Sequence, residues 1–137
     1  MWLKNLILFM AIFFMTFLSI ENGNCGDTGI KPKELIGIWK QDIPVDIVLV
    51  LRLSADGTFR MAWGVDRLDT RPVDRGKVKF EGNQVTFASS ESPTCKNHIG
   101  NYNISMTEKG NFQLTVEEDP CYDRRGFFVA DWNRVKE

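Results

Sequence analysis

From residue 35 onward, apolar and polar side chains alternate with a period of two, the spacing of strands that bury one face. Leu35, Gly37 and Trp39 share one face of the first run. In the second, Ile47, Leu49, Leu51 and Leu53 face one way and Val48, Val50 and Arg52 the other. Ala55-Asp56-Gly57 then reverses the chain; Asp-Gly between alternating runs is a strong hairpin signal. The return strand aligns Phe59, Met61 and Trp63 against Arg60 and Ala62. Val78 and Phe80 lead through the turn Glu81-Gly82-Asn83 to Val85 and Phe87. Tyr102, Ile104 and Met106 lead through Glu108-Lys109-Gly110-Asn111 to Phe112, Leu114 and Val116. A last strand is predicted over about 127–135, with Phe128, Ala130 and Trp132 on one face.

These runs predict eight short strands and no helix within the domain. Short links pair sequential strands antiparallel, and a sheet with one apolar face must pack on a second sheet or close on itself. The prediction is therefore an all-β fold, an eight-stranded antiparallel up-and-down barrel whose interior is filled by side chains or holds one small ligand. Residues 66–75, 89–100 and 118–126 read as its longer loops. The first of these is charged, with Arg67, Asp69, Arg71 and Asp74 around Pro72, and reads as solvated.

The N-terminal segment, residues 1–25, has a different pattern. Lys4 precedes an apolar run from Leu6 through Ile20, and Glu21-Asn22-Gly23-Asn24 follows. A charged start, an apolar centre and a polar end are the layout of an export signal. The run falls short of the ~20 apolar residues of a spanning helix, yet is long for a signal and lacks a small-residue cleavage site. Two readings follow: a cleaved signal peptide, or a retained membrane-anchor helix. Residues 26–137 form the domain. Export places it in a secreted, periplasmic or cell-envelope location, touching membrane only through residues 1–25 if these are retained.

Three cysteines then gain meaning. In an oxidising compartment Cys95 and Cys121 are expected to form a disulfide, closing a loop whose constraint is worth about 3 kcal/mol in the chain-entropy model. Both lie in predicted loops, where the bond staples one end of the barrel. Cys25 ends the leader as a lipidated cysteine does, but Asn22 and Asn24 stand where such signals carry an apolar and a small residue.

Charge excludes several partner classes. The 17 Lys and Arg against 18 Asp and Glu are scattered; no basic stripe suits nucleic acid and no polybasic patch suits an anionic membrane. Catalysis is equally unsupported by motif. The single histidine, His98, lies near Cys95, but a disulfide-bonded Cys95 is no nucleophile. No nucleotide or phosphate loop is present. One histidine and two oxidised cysteines make no zinc site. Asp66, Asp69 and Asp74 offer oxygens without a calcium-loop spacing, and the intervening arginines point to local ion pairs. No enzyme activity, metal or cofactor is expected. Asn103-Ile104-Ser105 fits the glycosylation acceptor pattern on a polar strand face.

The run Glu34-Leu35-Ile36-Gly37-Ile38-Trp39 resembles the Gly-x-Trp first-strand motif of the lipocalins and the wider calycin group. The resemblance implies that Trp39, with Gly37, closes the barrel floor and that an arginine near the end of the last strand lies across it. Arg134 occupies the matching place, with Arg124 a weaker candidate. The resemblance covers the domain in strand count. The family's second motif, Thr-Asp-Tyr or similar, is missing, as is the helix after the last strand, and the strands are short, which implies a shallow calyx.

A small apolar-ligand site is the functional expectation. The inward face is rich in large rings, and small-molecule pockets are mostly apolar with a few polar groups. The candidate lining residues are Met61, Trp63, Phe80, Phe87 and Tyr102, with loop 66–75 gating one end. The alternative is a filled barrel acting through its surface as an inhibitor or protein-interaction module, its partner unidentified. The outward Val48 and Val50 and the loops 66–75 and 119–125 are its candidate contacts.

Overall fold

The computed structural model describes residues 29–43 and 47–136, so the leader readings and Cys25 lie outside the described residues. A short helical turn, α1 (Pro32–Leu35), enters the domain. Strands β1 (Gly37–Asp42), β2 (Val48–Leu53), β3 (Thr58–Trp63), β4 (Asp74–Glu81), β5 (Gln84–Glu91), β6 (Ile99–Met106), β7 (Phe112–Glu118) and β8 (Asp131–Arg134) follow. They form a closed barrel in sequential order, and every neighbouring pair is antiparallel, including β1 with β8. The predicted eight-stranded up-and-down barrel is the observed fold.

The alternation predicts the inward face of most strands correctly. Leu49, Leu51, Leu53, Phe59, Met61, Val78, Val85, Phe87, Tyr102, Ile104, Phe112 and Leu114 all belong to the buried interior. Closure is what lets so short a chain bury them, because a barrel has no open sheet edge. One end, the floor, carries Trp39 and Arg134; the other, the mouth, carries the start of β4, the loop after β5 and the end of β7.

Four expectations are corrected. Leu35 sits in α1 rather than in the first strand, and its carbonyl accepts the Trp39 indole N–H at 2.8 Å. The segment expected as loop and strand start around 122–128 is a helix, α2 (Tyr122–Phe128), and β8 is only four residues long. The alternating apolar residues Phe128 and Trp132 are a helix end and a strand, each buried for its own reason. β8 therefore meets β7 at only two residue pairs, Phe112 with Trp132 and Gln113 with Asp131. Val116, beyond that contact, is exposed instead of inward.

Loop 66–75 is not simply solvated. After a 3-10 turn (Val65–Arg67), Leu68 is fully buried on the outside of the barrel against Val50 and Ala62, with Ile38 and Val48 alongside. Val50 on the second face of β2 is thus covered by the chain itself, while Val48 stays partly exposed. Asp69 ties the loop down by ion pairs to Arg52 at 2.7 Å and Arg60 at 2.6 Å, on β2 and β3. The pairing runs to neighbouring strands, not to arginines within the loop.

Candidate functional site: the plugged mouth of the barrel

The inward face changes character toward the mouth. Following β4, β5 and β6 upward, the positions in phase with the apolar stripe become Asp74, Ser89 and Gly100. Helix α2 crosses above this polar layer. The carbonyl of its Phe127 accepts from Gln41 of β1 at 2.5 Å, and its Phe127 ring meets Trp63 of β3 edge-on at 5.4 Å. At the other side Arg124 reaches Ser89 of β5 at 2.5 Å and the His98 carbonyl before β6 at 3.3 Å. The helix is thus a plug held on several sides of the barrel.

Its last turn fills the interior. Phe128 is fully buried, with ring centroids 4.6 Å from Phe87, 5.5 Å from Tyr102, 6.2 Å from Trp132 and 6.4 Å from Phe59. Edge-to-face packing of this kind contributes beyond simple area burial.

A buried ion pair anchors the plug. Arg124 Nε donates to Asp119 Oδ2 at 2.7 Å and Nη2 to Oδ1 at 2.9 Å, both side chains fully buried. The Asp119 carboxylate also accepts from the Tyr102 hydroxyl and from the Cys121 backbone N–H. Burial alone would raise the Asp119 pKa, but the bonds from Arg124, Tyr102 and Cys121 outweigh it and hold it below the usual carboxylate range. The Tyr102 hydroxyl is pushed up, first by burial and then by its bond to Asp119. Gly100 makes the room: a Cβ there would stand 2.3 Å from Asp119 Oδ2. The predicted disulfide Cys95–Cys121, with Cα atoms 5.3 Å apart, joins the loop after β5 to the start of α2 at this same end. His98 is exposed, and Cys95, being in the disulfide, is no nucleophile.

Asp74 is the exception in this network. It is 1% exposed, and its Oδ2 accepts from Ser89 Oγ at 3.0 Å, but no described group donates to Oδ1. Burial pushes its pKa up to about 6, only partly offset by the Ser89 hydrogen bond and the Arg124 charge. Beside it a cavity of about 220 Å³ opens at the rim, with walls from Met61, Trp63, Val73, the disulfide loop, Arg124 and Phe127.

The five candidate lining residues do not share one cavity. Met61 and Trp63 line the mouth cavity. Phe87 and Tyr102 are buried in the aromatic interior around Phe128, and Phe80 packs against the core lower down. At the floor, the Arg134 guanidinium carbon lies 4.3 Å from the Trp39 ring centroid, while Arg124, the weaker candidate, belongs to the mouth. Sequence reasoning missed the mouth network. Asp74 ends a charged stretch whose composition reads as solvated loop, yet it falls in phase with Val78 and Phe80, and extending their alternation upstream places it inward.

No cluster of His, Cys, Asp and Glu suited to a metal occurs among the described residues. No protein-family model matches the chain, and no curated protein is significantly similar to it in sequence.

Proposed function

We propose that the protein is an exported, non-enzymatic, lipocalin-like domain that binds a small molecule of largely apolar body at the mouth of its barrel. The observation that carries this reading is the rim cavity, where Met61, Trp63 and Phe127 stand beside the buried Asp74. Its ~220 Å³ is below the about 300–1,000 Å³ of drug-sized ligand sites. It suits a compact ligand of about one ring. The deeper interior is packed around Phe128.

Membership of the lipocalin-like group is part of the proposal. It is supported by the closed eight-stranded barrel and by Gly37, Trp39 and Arg134 meeting at the floor. A secreted, periplasmic or envelope location is supported by the Cys95–Cys121 disulfide, which persists in oxidising compartments. Contact with a membrane would run through residues 1–25 alone.

A second reading, a filled barrel that acts on a protein partner, is favoured by the packed interior and by the exposed Ile47 and Val65 at the rim near Trp63 and Arg67. Native mass spectrometry on the protein purified from its own host separates the two. A stoichiometric small molecule, retained less well by Trp63→Ala, supports the first. A clean unliganded mass with no uptake of small aromatic probes overturns it and leaves the rim as a protein-contact surface.

A further inference from the structure

The mouth cavity has a charge imbalance that narrows the chemistry of its ligand. Two buried carboxylates, Asp74 and Asp119, face one buried guanidinium, Arg124. Asp119 accepts from Nε and Nη2 of Arg124, from the Tyr102 hydroxyl and from a backbone N–H, so that pair is neutral and hydrogen-bonded, while Nη1 of Arg124 is taken up by Ser89 and the His98 carbonyl. Asp74 is left with neutral donors only, the Ser89 hydroxyl and the Arg75 backbone N–H, and its Oδ1 has no hydrogen-bond partner among the described residues. Asp123, on the exposed first turn of α2, adds another carboxylate to the cavity lining, while Arg124 is the only cation among the lining residues. A buried carboxylate oxygen without a donor is costly unless a ligand supplies one. A charged donor does so best, and aromatic walls add cation–π attraction for an ammonium group. An anionic ligand would meet two lining carboxylates and a guanidinium already committed.

We propose that the mouth cavity is a site for a small amine whose ammonium group donates to Asp74 Oδ1 while its apolar body lies against Met61, Trp63 and Phe127. This rests on the mouth being the binding site. The bound ammonium replaces the missing partner of Asp74, as Arg124 serves Asp119.

The groups around Asp74 fix the pH dependence. They are Ser89 of β5, Arg124 and Asp123 of α2, Asp119 before α2, and Arg75 next to it on β4, whose own side chain pairs with Glu91. None of them supplies a second positive charge to Asp74. Protonation of Asp74 near pH 6 therefore removes the attraction for an ammonium group.

The test is calorimetric titration of the intact protein with three probes of one shape: phenethylamine, phenethyl alcohol and phenylacetate. At about pH 8, where Asp74 is ionised, phenethylamine should bind about tenfold or more tightly than the other two. That preference should fade as pH falls through about 6. Asp74→Asn keeps the shape and the Ser89 bond and should erase the preference, with thermal unfolding followed in parallel to show that the variant is folded. Equal binding of amine and alcohol overturns the amine proposal and leaves the mouth site standing. Tighter binding of phenylacetate also overturns it. No binding of any probe overturns both the amine proposal and the mouth site.

Discussion

The guanidinium of Arg134 lies over the indole of Trp39, its carbon 4.3 Å from the ring centroid, and Gly37 is what lets it do so. A Cβ at Gly37 would stand 2.6 Å from Arg134 Nη1, and Gly37 itself adopts φ +142°, a conformation that side chains rarely take. Arg134 also donates to the carbonyls of Glu34 and Ile36, beside α1. One side chain from the last strand thus closes the floor, caps the entering chain and explains why glycine stands two residues before tryptophan.

Arg134→Ala should cost about 1 kcal/mol, since an exposed cation–π contact is worth about 0.5–1 kcal/mol and exposed polar bonds add little. Gly37→Ala should cost more, because it adds backbone strain to the displaced guanidinium. Urea unfolding of both variants checks the order. A Gly37→Ala variant as stable as the parent would mean that the floor is not tightly constrained.

Reduction of Cys95–Cys121 should destabilise the domain by about 3 kcal/mol, the cost of freeing a loop of this length in the chain-entropy model. The loss should be concentrated at the mouth, because the bond joins the β5–β6 loop to α2. Intact mass should rise by two hydrogens on reduction. Hydrogen exchange should then show α2 opening before the barrel strands do; uniform loss of protection would place the stabilisation elsewhere.

What the sequence reveals and what it hides follow from period and length. Strands with polar outer faces, such as Phe112-Gln113-Leu114, declare themselves by alternation alone. β2 declares its inner face the same way, but not why its outer Val50 is buried: that comes from Leu68, a contact from a loop whose composition reads as solvated. The plug is hidden for another reason. Helix α2 is seven residues long, contains Gly126 and has no side-chain cap, so neither propensity nor capping marks it. It is helical because burying Phe128 and Arg124 rewards that shape, a tertiary effect. The disulfide needs only two cysteines and a compartment. The floor is legible only through the resemblance of Gly37-Ile38-Trp39 to the lipocalin Gly-x-Trp motif; the mouth network needs residues far apart in sequence, such as Ser89 and Arg124.

Stability should rise as the medium is made mildly acidic. The Asp74 carboxyl is raised from the ordinary 3.8 to about 6. Between those values the folded state binds the proton that the unfolded chain has lost. Folding stability from this group therefore falls as pH climbs from about 4 to 6 and is at its lowest above that. The effect is up to about 3 kcal/mol for a shift of this size. Asp119 acts in the opposite sense, its contribution present at neutral pH and lost only below its ordinary range. Urea midpoints measured between pH 7 and 5 should increase in the parent and stay flat in Asp74→Asn. A flat parent profile would mean that Asp74 already has a charged partner when folded.

Phe128→Ala tests whether the interior is filled, and with it where a ligand can sit. Phe128 is fully buried among Phe59, Phe87, Tyr102 and Trp132, so truncation removes the common contact of four rings. The cost should be about 3–5 kcal/mol, transfer and cavity terms together. The space left is lined by rings and should stay dry, and apolar cavities of that kind take up benzene. Benzene should therefore raise the thermal midpoint of Phe128→Ala and leave the parent unmoved, because ligand binding to the folded state alone shifts stability by mass action. Trp63→Ala, which enlarges the mouth and not the interior, should show no such benzene effect. If the parent itself is stabilised by benzene and Trp63→Ala responds no differently, the seat for an apolar ligand is inside the barrel, and Phe87 and Tyr102 rather than Trp63 would form its walls.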